Sequence, residues 1–287
     1  MRAYIPAYEL VVPRSLGEAL ALVADEPGVW RPFAGGTDLM VLLEAGNLAH
    51  RKFFSVWGLA ELRGVEAGED ALTIGALTTY AEVRRSEVLR REFPMLVGAA
   101  RETGGLAIQN RGTLGGNICN ASPAADSPPA LIAYGAQLEL VSRAGTRRVA
   151  YDEFHTGYKQ TVMRPDELLA RISLPRPRPG ARQFYRKVGT RRAQAISKVC
   201  FAGLLELEGG VVSEARLALG SVAPTVVRCR HAEAALRGRA PDAAAARDAL
   251  VELAHDITPI DDLRSTARYR ARVAQNLLAQ FLSGGGR

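Results

Sequence analysis

The sequence predicts an α+β protein in two parts, on three observations. The length of 287 residues fits two domains at about 100–200 residues each. Up to residue 175, short extended apolar runs alternate with segments whose apolar residues fall on one helix face. The segment Pro175-Arg176-Pro177-Arg178-Pro179-Gly180 then reads as a linker, and beyond it extended segments come first and helices follow. With 47% hydrophobic and 23% charged residues the chain can bury a sizeable core.

The first part opens with the extended run Tyr8-Glu9-Leu10-Val11-Val12. Ser15 and Glu18 have the spacing of a capping box, and Leu16, Ala19, Leu20 and Val23 share one face of the helix behind it. A second extended run, Val29-Trp30-Arg31-Pro32-Phe33, leads through a glycine pair into a helix over residues 39–45. Phe53-Phe54-Ser55-Val56 is the next strand, and a second unit begins near residue 60. There Gly68-Glu69-Asp70 separates two strands, Thr79 and Glu82 form another capping box, and Pro94 opens a helix to about residue 101. Residues 109–129 are dense in Gly, Asn, Ser, Ala and Pro, and such a stretch without visible regular structure is more often functional than idle. Gln137-Leu138-Glu139-Leu140-Val141 resumes as a strand. In the second part, strands are expected around residues 184–188, 202–207 and 215–219, and helices near 232–236, 243–255 and 267–281.

Composition narrows the function. No apolar run reaches the about 20 residues that cross a bilayer, and Met1-Arg2-Ala3-Tyr4-Ile5-Pro6 lacks the apolar core of a signal peptide, so a soluble, cytoplasmic protein is expected. Cys119, Cys200 and Cys229 form no C-x-x-C pair, which argues against a zinc site or an iron–sulfur cluster on this chain and for buried free thiols. The net charge of +7 is spread in short pairs such as Arg84-Arg85, Arg90-Arg91 and Arg191-Arg192. There is no long basic arm and no aromatic-interleaved signature, so nucleic-acid binding has only the high pI in its favour. The tail Ser283-Gly284-Gly285-Gly286-Arg287 alone has the composition of a disordered segment.

Two glycine pairs carry the chemistry. In Ala34-Gly35-Gly36-Thr37 the missing Cβ atoms let a phosphate approach backbone N–H groups, and a following helix adds a favourable dipole, with Asp38 as its N-cap. The plain alternative is an ordinary strand-to-helix turn. Thr113-Leu114-Gly115-Gly116-Asn117 repeats the arrangement, with hydroxyl and amide side chains on either side. Two such loops suit the two phosphates of a dinucleotide, whereas one would serve a mononucleotide equally well. Asp126 either offers a carboxylate to ribityl or ribose hydroxyls or forms the turn before Ser127-Pro128-Pro129. The Rossmann G-x-G-x-x-G, the P-loop, the G-x-S-x-G elbow and the H-E-x-x-H pair are all missing, and the four histidines are scattered.

These motifs resemble the FAD-binding, or medium, subunit of the molybdenum hydroxylases, the family of carbon monoxide dehydrogenase and the flavin modules of xanthine dehydrogenase. The resemblance rests on Ala34-Gly35-Gly36-Thr37-Asp38-Leu39 and on Ile108-Gln109-Asn110-Arg111-Gly112-Thr113-Leu114-Gly115-Gly116-Asn117-Ile118. It continues through Asn120-Ala121-Ser122-Pro123-Ala124-Ala125-Asp126-Ser127-Pro128-Pro129, and later Asp166-Glu167-Leu168-Leu169, Tyr185-Arg186-Lys187-Val188 and Ala223-Pro224-Thr225.

The resemblance implies a two-lobed FAD-binding domain of the vanillyl-alcohol-oxidase (PCMH) type over residues 1–176, with lobes at about 1–57 and 58–176. A CO dehydrogenase flavoprotein C-terminal-like domain of antiparallel sheet and helices would follow over 181–283. It places FAD against Pro32, Phe33, Ala34, Gly35, Gly36, Thr37, Asp38 and Leu39, against Thr113, Leu114, Gly115, Gly116 and Asn117, and against Asp126. Leu169 by its backbone, Lys187, and the stretch Gln194-Ala195-Ile196-Ser197 would lie near the flavin ring. Asp38 is a departure, since some relatives carry a different polar residue there. Covalent relatives attach flavin through a histidine near the phosphate loops, and neither loop here contains one, so non-covalent FAD is expected. The resemblance also implies a small [2Fe–2S] subunit and a large molybdopterin subunit as partners in a dimer of heterotrimers, with no catalytic residue on this chain. This FAD would relay electrons from those clusters to an external acceptor. A stand-alone, non-covalent FAD oxidase or reductase of the same fold is the competing expectation.

Overall fold

The computed structural model describes residues 7–191 and 194–284. The N-terminal hexapeptide, Arg192 of the last arginine pair and the final Gly285-Gly286-Arg287 lie outside the described residues.

The first lobe is a three-stranded parallel sheet with Lys52–Ser55 between Glu9–Val11 and Arg31–Phe33. Helix Leu16–Asp25 starts where the sequence predicts, with Ser15 Oγ accepting from the Glu18 N–H at 3.2 Å. The reciprocal half of the box differs, because the Glu18 carboxylate takes the Arg14 N–H at 2.7 Å. Ala19 and Val23 on this helix bury against Trp30, Phe54 and Val56.

The second lobe is a five-stranded antiparallel sheet in the order Val65–Ala67, Ala71–Gly75, Leu168–Pro175, Gln137–Ser142, Gly145–Ala150. Its central strand is buried on both faces only over Leu168, Leu169 and Ala170, whereas Arg171 and Pro175 are exposed. Ile172 and Leu174 join the large core under the lobe's helices, while Leu168 and Ala170 join the first lobe's core beside Phe54 and Val56. A register shift between Leu169 and Arg171 falls at this seam. The capping box at Thr79 is complete, with the Glu82 carboxylate accepting from the Thr79 N–H at 2.7 Å.

Residues 109–129 are more regular than their composition predicts. Helices Leu106–Arg111, Leu114–Cys119 and Ser127–Ala133 run through them. Pro128 and Pro129 sit in the first turn of the last, where their missing N–H groups cost nothing.

The C-terminal part is a four-stranded antiparallel sheet of Arg182–Val188, Val199–Glu208, Val211–Gly220 and Val227–Arg228, followed by helices Arg230–Leu236, Ala243–Asp256 and Ala267–Leu282. Alternation along the second strand divides its burial. Val199, Phe201 and Leu205 face the C-terminal helices, while Ala202 and Leu204 join the core of the second lobe. Helices Pro94–Glu102 and Ser127–Ala133 supply that second cover. No helix among the described residues is long and apolar enough to cross a membrane.

Candidate functional site

The first glycine pair lies where strand Arg31–Phe33 turns into helix Leu39–Glu44. Gly36 has φ +76°, and a Cβ there would press on the Phe33 ring at 2.8 Å. Phe33 itself points into the lobe and meets Phe53 edge-on at 6.4 Å. A Cβ on Gly35 would fall on the carbonyl oxygen of Arg111, so the first loop and the second lobe touch backbone to backbone. The Arg111 guanidinium stacks on Trp57 at 3.9 Å. Among the described residues, the N–H groups of Gly35, Gly36, Thr37 and Asp38 donate no hydrogen bond within the protein. Such a row of unspent donors is a ready anion receptor. Asp38 occupies the N-cap position but does not cap; its carboxylate accepts from Asn120 Nδ2 at 3.2 Å instead.

The second loop is built differently. The N–H groups of Leu114 and Gly115 donate to the carbonyls of Thr78 and Ala76 at 3.0 and 2.8 Å. Gly116 N–H donates to Thr113 Oγ1 at 3.1 Å, and Asn117 N–H to the Thr113 carbonyl at 3.0 Å. From Leu114 to Asn117 its backbone donors are therefore spent on the fold, unlike the row at residues 35–38. Gly115 is glycine because a Cβ would meet Ala76 Cβ at 2.7 Å. The loop's offering is a side chain. Ser127 Oγ donates to Asn117 Oδ1 at 2.7 Å, which leaves the Asn117 Nδ2 donor for the cleft.

Between the loops runs a cleft of about 710 Å³. Pro32, Ala34, Gly35, Gly36, Thr37, Asp38 and Leu39 line one side, Thr113, Gly115, Gly116 and Asn117 the other, and Leu169 lies at the lobe seam. Leu42, Val56, Leu62, Leu77 and Leu168 give it an apolar wall. Leu114, fully buried in the large core, and Phe33, half-buried in the first lobe, both lie outside the lining.

Asp126 and Lys187 come together, but outside that lining. Lys187 Nζ donates to Asp126 Oδ2 at 2.7 Å and to the Glu102 carbonyl at 2.9 Å. Ser197 Oγ donates to Asp126 Oδ1 at 2.6 Å, and the Tyr185 hydroxyl donates to the Asp126 carbonyl at 3.1 Å. Burial pushes the Asp126 carboxyl up, against the pull of Lys187 and the hydrogen bond from Ser197. The pair thus fastens the C-terminal sheet to the turn before helix Ser127–Ala133. Of the stretch Gln194-Ala195-Ile196-Ser197, Gln194 has φ +51° and Ile196 is exposed.

Several lining residues lie outside the expected FAD contacts. Tyr80 lines the cleft, and its buried hydroxyl, beside Ser127, lacks a partner of bonding geometry among the described residues. Asn120, Lys159 and Met163 also line it. Cys200 and Cys229 are buried thiols, as expected, but Cys119 is exposed and faces the cleft, 3.7 Å from Met163 Sδ.

A cleft with an apolar wall and one row of free backbone donors suits a nucleotide cofactor, and its volume lies in the usual range of about 300–1,000 Å³. Residues 6–177 match the family described as the FAD binding domain in molybdopterin dehydrogenase. The chain belongs to the FAD-binding medium subunits of the molybdenum hydroxylases. Residues 183–284 of this medium subunit match the CO dehydrogenase flavoprotein C-terminal domain. It is 35% identical over 272 residues to the xanthine dehydrogenase FAD-binding subunit of Escherichia coli O157:H7, covering 94% of this chain and 92% of the relative. It is 29% identical over 281 residues to the carbon monoxide dehydrogenase medium chain of Hydrogenophaga pseudoflava, covering 97% and 96%. Among solved structures, carbon monoxide dehydrogenase from Hydrogenophaga pseudoflava superposes with a TM-score of 0.93 at 30% identity, covering 98% of this chain and 97% of that one. Quinoline 2-oxidoreductase from Pseudomonas putida 86 superposes at 0.88 and 25% identity, covering 98% and 97%. The medium subunit is accordingly a subunit of an oxidoreductase, with an FAD-binding domain.

Proposed function

We propose that this subunit holds FAD non-covalently between its lobes and relays electrons from [2Fe–2S] clusters on a partner subunit to an external acceptor. The observation that carries the reading is the row of unspent N–H groups at residues 35–38, facing Asn117 across the cleft. Those donors would hold the pyrophosphate, and Asn117 Nδ2, oriented by Ser127, would reach it from the other lobe. Pro32, Ala34 and Leu39 would shape the same end of the cleft, with Phe33 and Leu114 supporting the two loops from behind. The aliphatic wall would exclude water, and the Leu169 backbone would contact the flavin ring. Asp126 and Lys187 would contact the ribityl chain and the ring edge once FAD is in place, and until then each neutralises the other.

When bound, FAD supplies the redox centre, accepting electrons singly and releasing them in pairs. The chain's own contribution is position and electrostatics. The relatives' names as medium chains support partner subunits for the clusters and the molybdenum cofactor. We assign those partners as a small [2Fe–2S] subunit and a large molybdopterin subunit, in a cytoplasmic dimer of heterotrimers. We divide the chain into the flavin domain at 1–176, with lobes at about 1–57 and 58–176, and the C-terminal domain at 181–283.

The test is removal of FAD from the assembled complex. Substrate should still bleach the iron–sulfur absorbance, while reduction of the external acceptor stops and returns when FAD is restored. Acceptor reduction that persists without FAD would overturn the relay. Turnover of a small organic substrate by the isolated chain would favour a stand-alone flavoenzyme.

A further inference from the structure

Three polar side chains bridge the lobes across the cleft. Lys159 Nζ donates to Asn120 Oδ1 at 3.1 Å, and Asn120 Nδ2 donates to Asp38 Oδ1 at 3.2 Å. All three line the cavity, yet they come from separate places: the tip of the hairpin His155–Gly157/Gln160–Thr161, the turn after the second glycine pair, and the end of the first loop.

The hairpin tip is held in place. Lys159 has φ +54° and its N–H donates at 3.2 Å to the carbonyl of Ala121, which itself has φ +47°. Residues with a side chain seldom adopt this conformation unless Asn or Asp, so two in contact mark a specified geometry. It delivers an ammonium to the cleft.

Charge completes the case. Among the described lining residues the charged side chains are Arg31, Asp38 and Lys159. A pyrophosphate brings two negative charges, and the backbone donors of residues 35–38 carry no formal charge to balance them. Asp38 stands at the end of that row, and its tie to Asn120 keeps its carboxylate engaged away from an incoming anion.

We propose that Lys159 is the cation that meets the FAD pyrophosphate, exchanging its Asn120 acceptor for a phosphate oxygen, and that Asp38 opposes it. This rests on the reading that FAD binds between the lobes, and it names the residue that selects phosphorylated over phosphate-free flavin.

The experiment titrates the full apo chain with FAD, followed by flavin fluorescence, at increasing potassium chloride. Riboflavin serves as the uncharged probe. Lys159→Met should raise the FAD Kd by about tenfold at low salt, the effect of losing one charge-assisted hydrogen bond, and should flatten its salt dependence. Riboflavin binding should not change, and Lys159→Arg should restore most of the FAD affinity. Asp38→Asn should tighten FAD, which tests the same balance in a second variant should Lys159→Met fail to fold. The proposal is overturned if Lys159→Met binds FAD within about twofold of wild type at every salt concentration. It is overturned equally if riboflavin weakens as much as FAD, or if Asp38→Asn weakens FAD. A wild-type chain that takes up no FAD defeats the cofactor reading itself, which separates the two failures.

Discussion

Each of the glycines in the two loops answers a different neighbour. Gly35 admits the Arg111 carbonyl and Gly115 admits Ala76, so both serve backbone contact, whereas Gly116 has only Thr113 Oγ1 within reach, at 2.9 Å. Gly35→Ala should therefore push the lobes apart, lowering the melting temperature and weakening FAD by at least about tenfold. Gly116→Ala should cost only the Thr113 cap, about 1 kcal/mol, in the same thermal and FAD titrations. Ser127→Ala frees the Asn117 amide to turn, and should weaken FAD by about fivefold, near 1 kcal/mol, with a smaller loss of stability than Gly35→Ala. The glycine pairs are legible in the sequence as candidate phosphate loops. That the donors of one are free and those of the other spent is not legible, because Thr78 and Ala76 accept them from more than thirty residues away. Lys159 is invisible for the same reason: its place in the cleft comes from a hairpin tip docked on Ala121.

At the scale of elements, strand Leu168–Pro175 positions the inner end of the cleft, and an ion pair anchors its start. Glu167, with its side chain 1% exposed, accepts from Arg147 at 2.6 and 2.8 Å and from Arg164 at 2.8 and 2.9 Å. The hydrogen bonds from Arg147 hold its carboxyl below the ordinary range, with Arg164 adding to the effect. A lowered acid stabilises the fold fully above its unfolded pKa, and that contribution is lost as pH falls from about 4.3. Glu167→Ala should cost about 3 kcal/mol at neutral pH, measured by urea denaturation, and the gap to wild type should narrow on acidification below that point. Capping residues and alternation make most strands and the long helices readable, as at Thr79 and along Val199–Glu208. Helices Leu106–Arg111 and Leu114–Cys119 are not readable, because each is six residues long and held by tertiary bonds. The Gln109 amide fastens the first of them to the Arg101 and Thr103 carbonyls at 3.0 and 3.1 Å.

Across the whole molecule, the proline-rich segment after the central strand reads as a linker, yet the parts it joins share a core. Ala202, Leu204 and Ala218 of the C-terminal sheet pack in the same cluster as Ala130, Leu131 and Tyr134. The Lys187–Asp126 pair lies in that contact, with side chains 5% and 10% exposed. Lys187→Met leaves the Asp126 carboxylate buried without its cation, and should cost about 3 kcal/mol at pH 7. Burial already pushes this acid up against the pull of Lys187, and loss of the ammonium removes that pull. The variant should therefore recover stability relative to wild type as pH is lowered from 7 toward 5, as thermal melts at graded pH would record. FAD binding in the cleft between the two glycine loops is the central proposal. Its most direct test is titration of the full apo chain with FAD, followed by acid precipitation of the saturated protein. One FAD per chain, released entirely into a yellow supernatant, is the predicted result; a chain that takes up no flavin, or a pellet that keeps the colour, would contradict it.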